Sequence, residues 1–128
     1  MENASIASDA IIVTESTNNE VYLNVTNGGY GGIEVHLGGG NDVHDNTVTS
    51  SYFGIVLSTS SSNSITSNLV SGSGGNGLVL VEGCSDNLIR ANTVTGSAGC
   101  ELYWDETSTG NVWVENVFGN QYQGDLQP

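Results

Sequence analysis

Ten asparagines, arranged in five pairs, constrain this chain more than any other feature. The leading member falls at Asn19, Asn41, Asn63, Asn87 and Asn111, at spacings of 22, 22, 24 and 24 residues. Five places after each stands its partner: Asn24, Asn46, Asn68, Asn92 and Asn116. Two places after the leading asparagine comes an apolar residue: Val21, Val43, Ile65, Ile89 and Trp113. Seven places after it come Thr26, Val48, Val70, Val94 and Phe118. Glycines at 32, 54, 77, 99 and 124 each open a short apolar alternation, and Ala10-Ile11-Ile12-Val13 fits that slot one repeat earlier. A period in the low twenties containing three short strand segments means a solenoid, in which each repeat buries its apolar side against the next.

The expected fold is all-β: a right-handed parallel β-helix of about five to six coils in one domain spanning residues 1–128, with a partial N-terminal coil at 10–18. Segments near 32–37, 54–58, 77–81 and 99–104 would form one sheet, A. Segments at 42–44, 64–66, 88–90 and 112–114 would form sheet B, and those at 47–49, 69–71, 93–95 and 117–119 sheet C. Alternation points Ile33, Val35, Leu37, Val43 and Val48 inward and Glu34, Asp42 and His44 outward. Asparagine tolerates the left-handed backbone of sharp turns, and stacked side-chain amides hydrogen-bond along an axis. The ten asparagines are therefore expected to be structural.

Gly54-Ile55-Val56-Leu57 followed by Asn63-Ser64-Ile65-Thr66-Ser67-Asn68-Leu69-Val70 resembles the parallel β-helix repeats of the pectin-lyase-like superfamily. Within it, the chain is most similar to the NosD-type periplasmic copper-processing proteins and the carbohydrate-binding and sugar-hydrolase domains, over residues 10–126. The resemblance implies the β-helix. Its members include lyases, polygalacturonases, epimerases and adhesins, so fold alone does not select an activity. The NosD copper link is not carried over, because no metal motif matches residue by residue.

Charge narrows the partners. The chain has one arginine, Arg90, no lysine and 14 acidic residues, for a net charge of −13. Nucleic acid and anionic membrane surfaces are excluded, since phosphate binding needs clustered cations. No apolar run is long enough for membrane insertion. The start Met1-Glu2-Asn3-Ala4 is not a secretion signal, and the polar composition favours an extracellular or periplasmic protein, here as a mature or excised piece. Two cysteines are too few for a disulfide scaffold: Cys100 is expected inward and Cys84 in a turn, unbridged.

Candidate site residues stand in the outward columns of sheet A. The first reads Ile12, Glu34, Val56, Val79, Glu101, Asp125, and the second Thr14, His36, Ser58, Val81, Tyr103, Gln127. Glu34 and Glu101 are three coils apart, roughly 14 Å, too far for a glycosidase pair, whereas Glu101 and Asp125 occupy adjacent coils and are the candidate acids for catalysis. The lyase chemistry of the superfamily lacks a base here, since Arg90 has no acidic cluster in its column. Metal-ligating types gather in one coil, as His36, Asp42 and His44 with Glu34 and Asp45, but on two faces around the Gly38-Gly39-Gly40 corner. The turn from sheet A to sheet B lengthens toward Tyr103-Trp104-Asp105-Glu106, an aromatic pair beside carboxylates suited to a saccharide platform. The structural alternative for Trp104 is a cap over the end of the core. Glu34 and His36 extend the candidate ligand-binding set.

The function expected is a non-catalytic surface or extracellular module, carbohydrate-binding or structural, with no cofactor. The alternatives are a small carbohydrate-active enzyme and a ligand-free scaffold or fragment of a larger β-helix. The partner class is polysaccharide. Outward Val56, Val79 and Val81, and Leu88, Val112 and Val114, also mark faces for self-association, as do the bare solenoid ends.

Overall fold

A computed structural model describes residues 9–119 and the short strand at 122–123. Among the described residues there is no helix; sixteen strands form three parallel sheets. Sheet A runs β1 (Ile11–Thr14), β4 (Gly31–His36), β7 (Phe53–Ser58), β10 (Leu78–Val81), β13 (Leu102–Trp104) and β16 (Tyr122–Gln123). Sheet B stacks β2 (Glu20–Tyr22), β5 (Asp42–His44), β8 (Ser64–Thr66), β11 (Leu88–Arg90) and β14 (Val112–Val114). Sheet C stacks β3 (Val25–Asn27), β6 (Thr47–Thr49), β9 (Leu69–Ser71), β12 (Thr93–Thr95) and β15 (Val117–Phe118). Every third strand pairs, so each coil contributes one strand to each sheet, giving a β-solenoid of about five turns.

The core is the inside of that tube. Ile33, Ile55, Leu78 and Leu102 stack in register, as do Val35, Leu57, Leu80 and Trp104. Val43, Ile65, Ile89 and Trp113 line sheet B, and Val48, Val70 and Val94 line sheet C, whereas Leu37, expected inward, is exposed because β4 ends at His36 and a left-handed residue at φ 54° breaks the alternation. Each of the buried aliphatic side chains contributes on the order of 2 kcal/mol. At the C-terminal end the rings of Trp104 and Trp113 meet at 5.0 Å between centroids and fill the tube.

The asparagines form two ladders up the corners flanking sheet B. Asn41 Nδ2 donates to Asn63 Oδ1 at 3.1 Å, Asn63 to Asn87 at 3.0 Å and Asn87 to Asn111 at 2.9 Å. The second ladder links Asn24, Asn46, Asn68, Asn92 and Asn116 in the same way. Each acceptor oxygen also takes the backbone N–H of the asparagine below it, as Asn68 Oδ1 does from Asn46. The left-handed backbone expected of the asparagines belongs instead to the residue before each of them. Asn18, Leu23, Gly40, Asp45, Ser62, Ser67, Asp86, Ala91, Gly110 and Glu115 all have positive φ. A left-handed residue turns the chain, and the asparagine that follows is left to satisfy the buried amides.

Glycine has a steric role in sheet A. A Cβ on Gly32, Gly54 or Gly77 would lie 2.2, 2.3 and 2.3 Å from Cγ1 of Val48, Val70 and Val94 respectively. The register also corrects the sequence-based alignment of the last coil. Gly77 is matched there by Glu101 and not by Gly99, because Leu78 pairs with Leu102. The gap from this position to the next ladder asparagine is then 9, 9, 10 and 10 residues, and that from the preceding asparagine is 8, 8, 9 and 9. Each corner absorbs one of the two residues that lengthen the later repeats, so the turn after β13 is no longer than the one after β10.

Candidate functional site

With the register settled, the outward column of sheet A reads Ile12, Glu34, Val56, Val79 and Tyr103. Val56 and Val79 form an apolar floor, and Val79 is only 5% exposed although it points away from the core. Around this floor lies a hollow of about 410 Å³. Tyr103 stands at its C-terminal end, and Tyr30, from the preceding corner, and Phe53, the first residue of β7, form an aromatic wall. Their rings meet edge-to-face at 5.4 Å, and Tyr52 stacks on Tyr30 at 5.6 Å. Polar groups at the rim are Asp9, Glu34, Asn76 and Glu82.

The electrostatics of the hollow centre on Glu34. Its carboxyl is pushed up to about 7 by burial, by a hydrogen bond with Asp9, and by repulsion from Asp9 and Glu82. Neighbouring carboxyls cannot all ionise cheaply, and Glu34 is the one that keeps its proton longest. Asp9 Oδ1 is buried without a hydrogen-bond partner. Glu82 reaches the rim from a left-handed turn residue at the end of β10. His36 stands one column over, with Nδ1 2.6 Å from Ser58 Oγ, and Ser58 itself lines the hollow.

The residues singled out from sequence distribute unevenly. Glu34 and Tyr103 line the hollow, with His36 beside it. Glu101 is not outward, as expected, but occupies the glycine column at the end of the solenoid, with Oε2 accepting from the Gly119 N–H at 3.3 Å. Its former partner Asp125 lies outside the described residues. Trp104 is 1% exposed and belongs to the core, so it presents no ring to a ligand. Asp105 clamps its own turn. Oδ1 accepts from Thr107 and Ser108 and Oδ2 from the Glu82 N–H; burial raises its carboxyl, but these bonds outweigh it and hold the group below the usual carboxylate range. Glu106 is exposed on that turn. Cys84, expected in a turn, is fully buried, and Cys100 is half-buried. Asp9, Tyr30, Asn76 and Glu82 lie at corners, which follow no column, and Phe53 opens β7 ahead of the outward columns, so none of the five stands out in the sequence.

A second grouping lies on sheet B. Asp42 and His44 are joined by Glu20 from the coil below, with one ligand atom from each all within 4.8 Å of one another. His44 Nε2 lies 2.8 Å from Glu20 and Nδ1 lies 2.7 Å from Asp45, while its ring stacks on Tyr22 at 5.2 Å. The hydrogen bonds that the imidazole donates to the Asp45 and Glu20 carboxylates raise it above its ordinary value. His36 and Glu34 remain on sheet A and do not converge with this set. Glu20 was legible in the sequence: it precedes Val21 as Asp42 precedes Val43.

A family model described as periplasmic copper-binding protein (NosD) matches residues 1–128. The chain belongs to the NosD family. No curated protein and no solved structure matches it. The NosD description implies copper, and the Glu20–Asp42–His44 set is where this chain's residues fit such an ion. One imidazole and two carboxylates suit a divalent ion such as Cu(II) in preference to Cu(I), which favours sulfur. Asp42 Oδ1 is buried and has no hydrogen-bond partner, an atom that a cation would satisfy. Asp45 would then hold Nδ1–H and fix the tautomer, leaving Nε2 as the donor.

Proposed function

We propose that this NosD-family chain is a non-catalytic β-helix module, working in the periplasm or outside the cell, that binds saccharide in the hollow on sheet A. The arrangement of floor and wall carries the proposal. Val56 and Val79 offer an apolar surface to a sugar's flat face, Tyr103, Tyr30 and Phe53 border it, and Glu34, Asn76 and Glu82 supply acceptors and donors for hydroxyls. This is the composition of a small-molecule site, mostly apolar with a few placed polar groups. The carboxyl arrangement supports binding without turnover. Glycosidase carboxyls stand roughly 5–9.5 Å apart with one ionised, whereas Glu34 and Asp9 are hydrogen-bonded to each other. Glycan-array binding beside a reducing-sugar assay tests the proposal: binding lost in Tyr103→Ala with no sugar release is expected. Release of reducing ends that stops in Glu34→Gln would overturn it.

The Glu20–Asp42–His44 set supports a second role, holding a divalent copper ion, in line with the NosD description. Titration of Cu(II) followed by electron paramagnetic resonance should give a bound nitrogen-coordinated signal that His44→Ala removes. An unchanged signal in that variant would reject the assignment.

A further inference from the structure

The polar groups around the hollow are of one electrical kind. Asp9, Glu34 and Glu82 supply three carboxyls, and the residues lining it include no lysine, arginine or histidine. The chain's single arginine, Arg90, is on sheet B, where it meets Glu115 at 3.5 Å. An anionic sugar would therefore enter a site that offers it no cation, on a protein of net charge −13. A ligand with a positive charge meets the opposite situation. Asp9 Oδ1 is buried with no donor, and three carboxyls crowd one hollow, a repulsion that an ammonium group relieves.

We infer that the occupant is a saccharide with free amino groups, a glucosamine-type chain, whose ammonium sits among Asp9, Glu34 and Glu82 while its ring lies on Val56 and Val79. This rests on the saccharide reading of the same hollow and names the class of sugar. The exchange balances: the ammonium enters, and the proton held by Glu34 leaves to solvent, because a nearby positive charge favours the ionised carboxylate. Uronate chains are excluded by the same charges, and N-acetylated chains lose the ionic contact but keep the stacking surface.

Isothermal titration of the whole chain at pH 6.5 with a glucosamine tetramer, its fully N-acetylated counterpart and a galacturonate tetramer separates the outcomes. The glucosamine tetramer should bind at least tenfold more tightly than the acetylated one, and the galacturonate should not bind. The preference should shrink with added salt. Glu34→Gln/Glu82→Gln should erase the preference while the acetylated tetramer still binds, which distinguishes lost charge recognition from lost folding. Proton release on binding should appear as a dependence of the heat on the buffer. Equal or tighter binding of the acetylated or galacturonate chain would overturn the amino-sugar assignment and leave the saccharide groove standing. Binding of none of the three would overturn both.

Discussion

Replacing Asn68 with alanine removes one rung from the middle of a ladder, and its cost can be worked from the bonds lost. Asn68 is 1% exposed. Its Nδ2 donates to Val43 O at 2.9 Å and to Asn92 Oδ1 at 3.0 Å. Its Oδ1 accepts from the Asn46 backbone N–H and from Asn46 Nδ2, both at 3.0 Å. In Asn68→Ala the Asn92 oxygen keeps a donor, the Asn68 N–H, and the Val43 carbonyl keeps its place in the sheet B ladder, but the Asn46 N–H is left buried without a partner. At about 2 kcal/mol for the orphaned amide and about 1 kcal/mol for each of the two donor bonds lost from Nδ2, the expected loss is about 3–4 kcal/mol. That is a large share of the roughly 5–15 kcal/mol that holds a domain of this size together. Asn24→Ala is the control. It sits at the first rung, donates to the exposed Tyr22 carbonyl and to Asn46 Oδ1, and should cost about 1 kcal/mol. Urea denaturation followed by circular dichroism, with ΔG from linear extrapolation, reads both. Equal costs for the two, or a loss under about 1.5 kcal/mol for Asn68→Ala, would refute the ladder as a source of stability.

Other consequences follow from the corners and the groove. Gly54→Ala places a Cβ 2.3 Å from Val70 Cγ1 and 2.4 Å from the Gly77 carbonyl, and should lower the urea midpoint by an amount equivalent to about 3 kcal/mol. Ala91→Gly relieves a left-handed alanine at φ 56° and should raise stability by about 0.5 kcal/mol in the same assay, the strain relieved exceeding the entropy added. Glu34 binds its proton more tightly in the folded chain than in the unfolded one, its carboxyl standing at about 7 against 4.5. Stability is therefore fullest below pH 4.5 and declines as pH rises to about 7; for a groove open to water the decline is about 1 kcal/mol, and thermal melts of Glu34→Gln should lack it.

The architecture was legible because its determinants repeat. Sheet B was placed residue for residue at 42–44, 64–66, 88–90 and 112–114, since Asn-x-apolar-x-x-Asn leaves one register open. The last coil was misread for a physical reason. Gly99 continues the glycine spacing in sequence, but the position is defined by the close approach of the valine stack in sheet C. That stack ends in Phe118 on a two-residue strand, where Glu101 is accommodated. The left-handed residues were also hidden, because their identities vary from Leu23 to Glu115 while only the following asparagine is constant. Glu34 could be found as a departure from an apolar column; Tyr103 stood out only beside Trp104 in its turn, and it is the register of β13 that brings it from the neighbouring column into line with Val79. Tyr30 and Phe53 could not be found, because the corner between sheets C and A follows no alternation and Phe53 opens β7 ahead of the outward columns.

The placement of function on the outer face of sheet A is tested most directly by mapping backbone amide shifts in nuclear magnetic resonance as the glucosamine tetramer is added. Saturable shifts concentrated at Glu34, Val56, Val79, Glu82 and Tyr103, and absent from Tyr103→Ala at the same concentrations, are the result expected. Shifts centred on Asp42 and His44 of sheet B, or no saturable shift on sheet A, would contradict it.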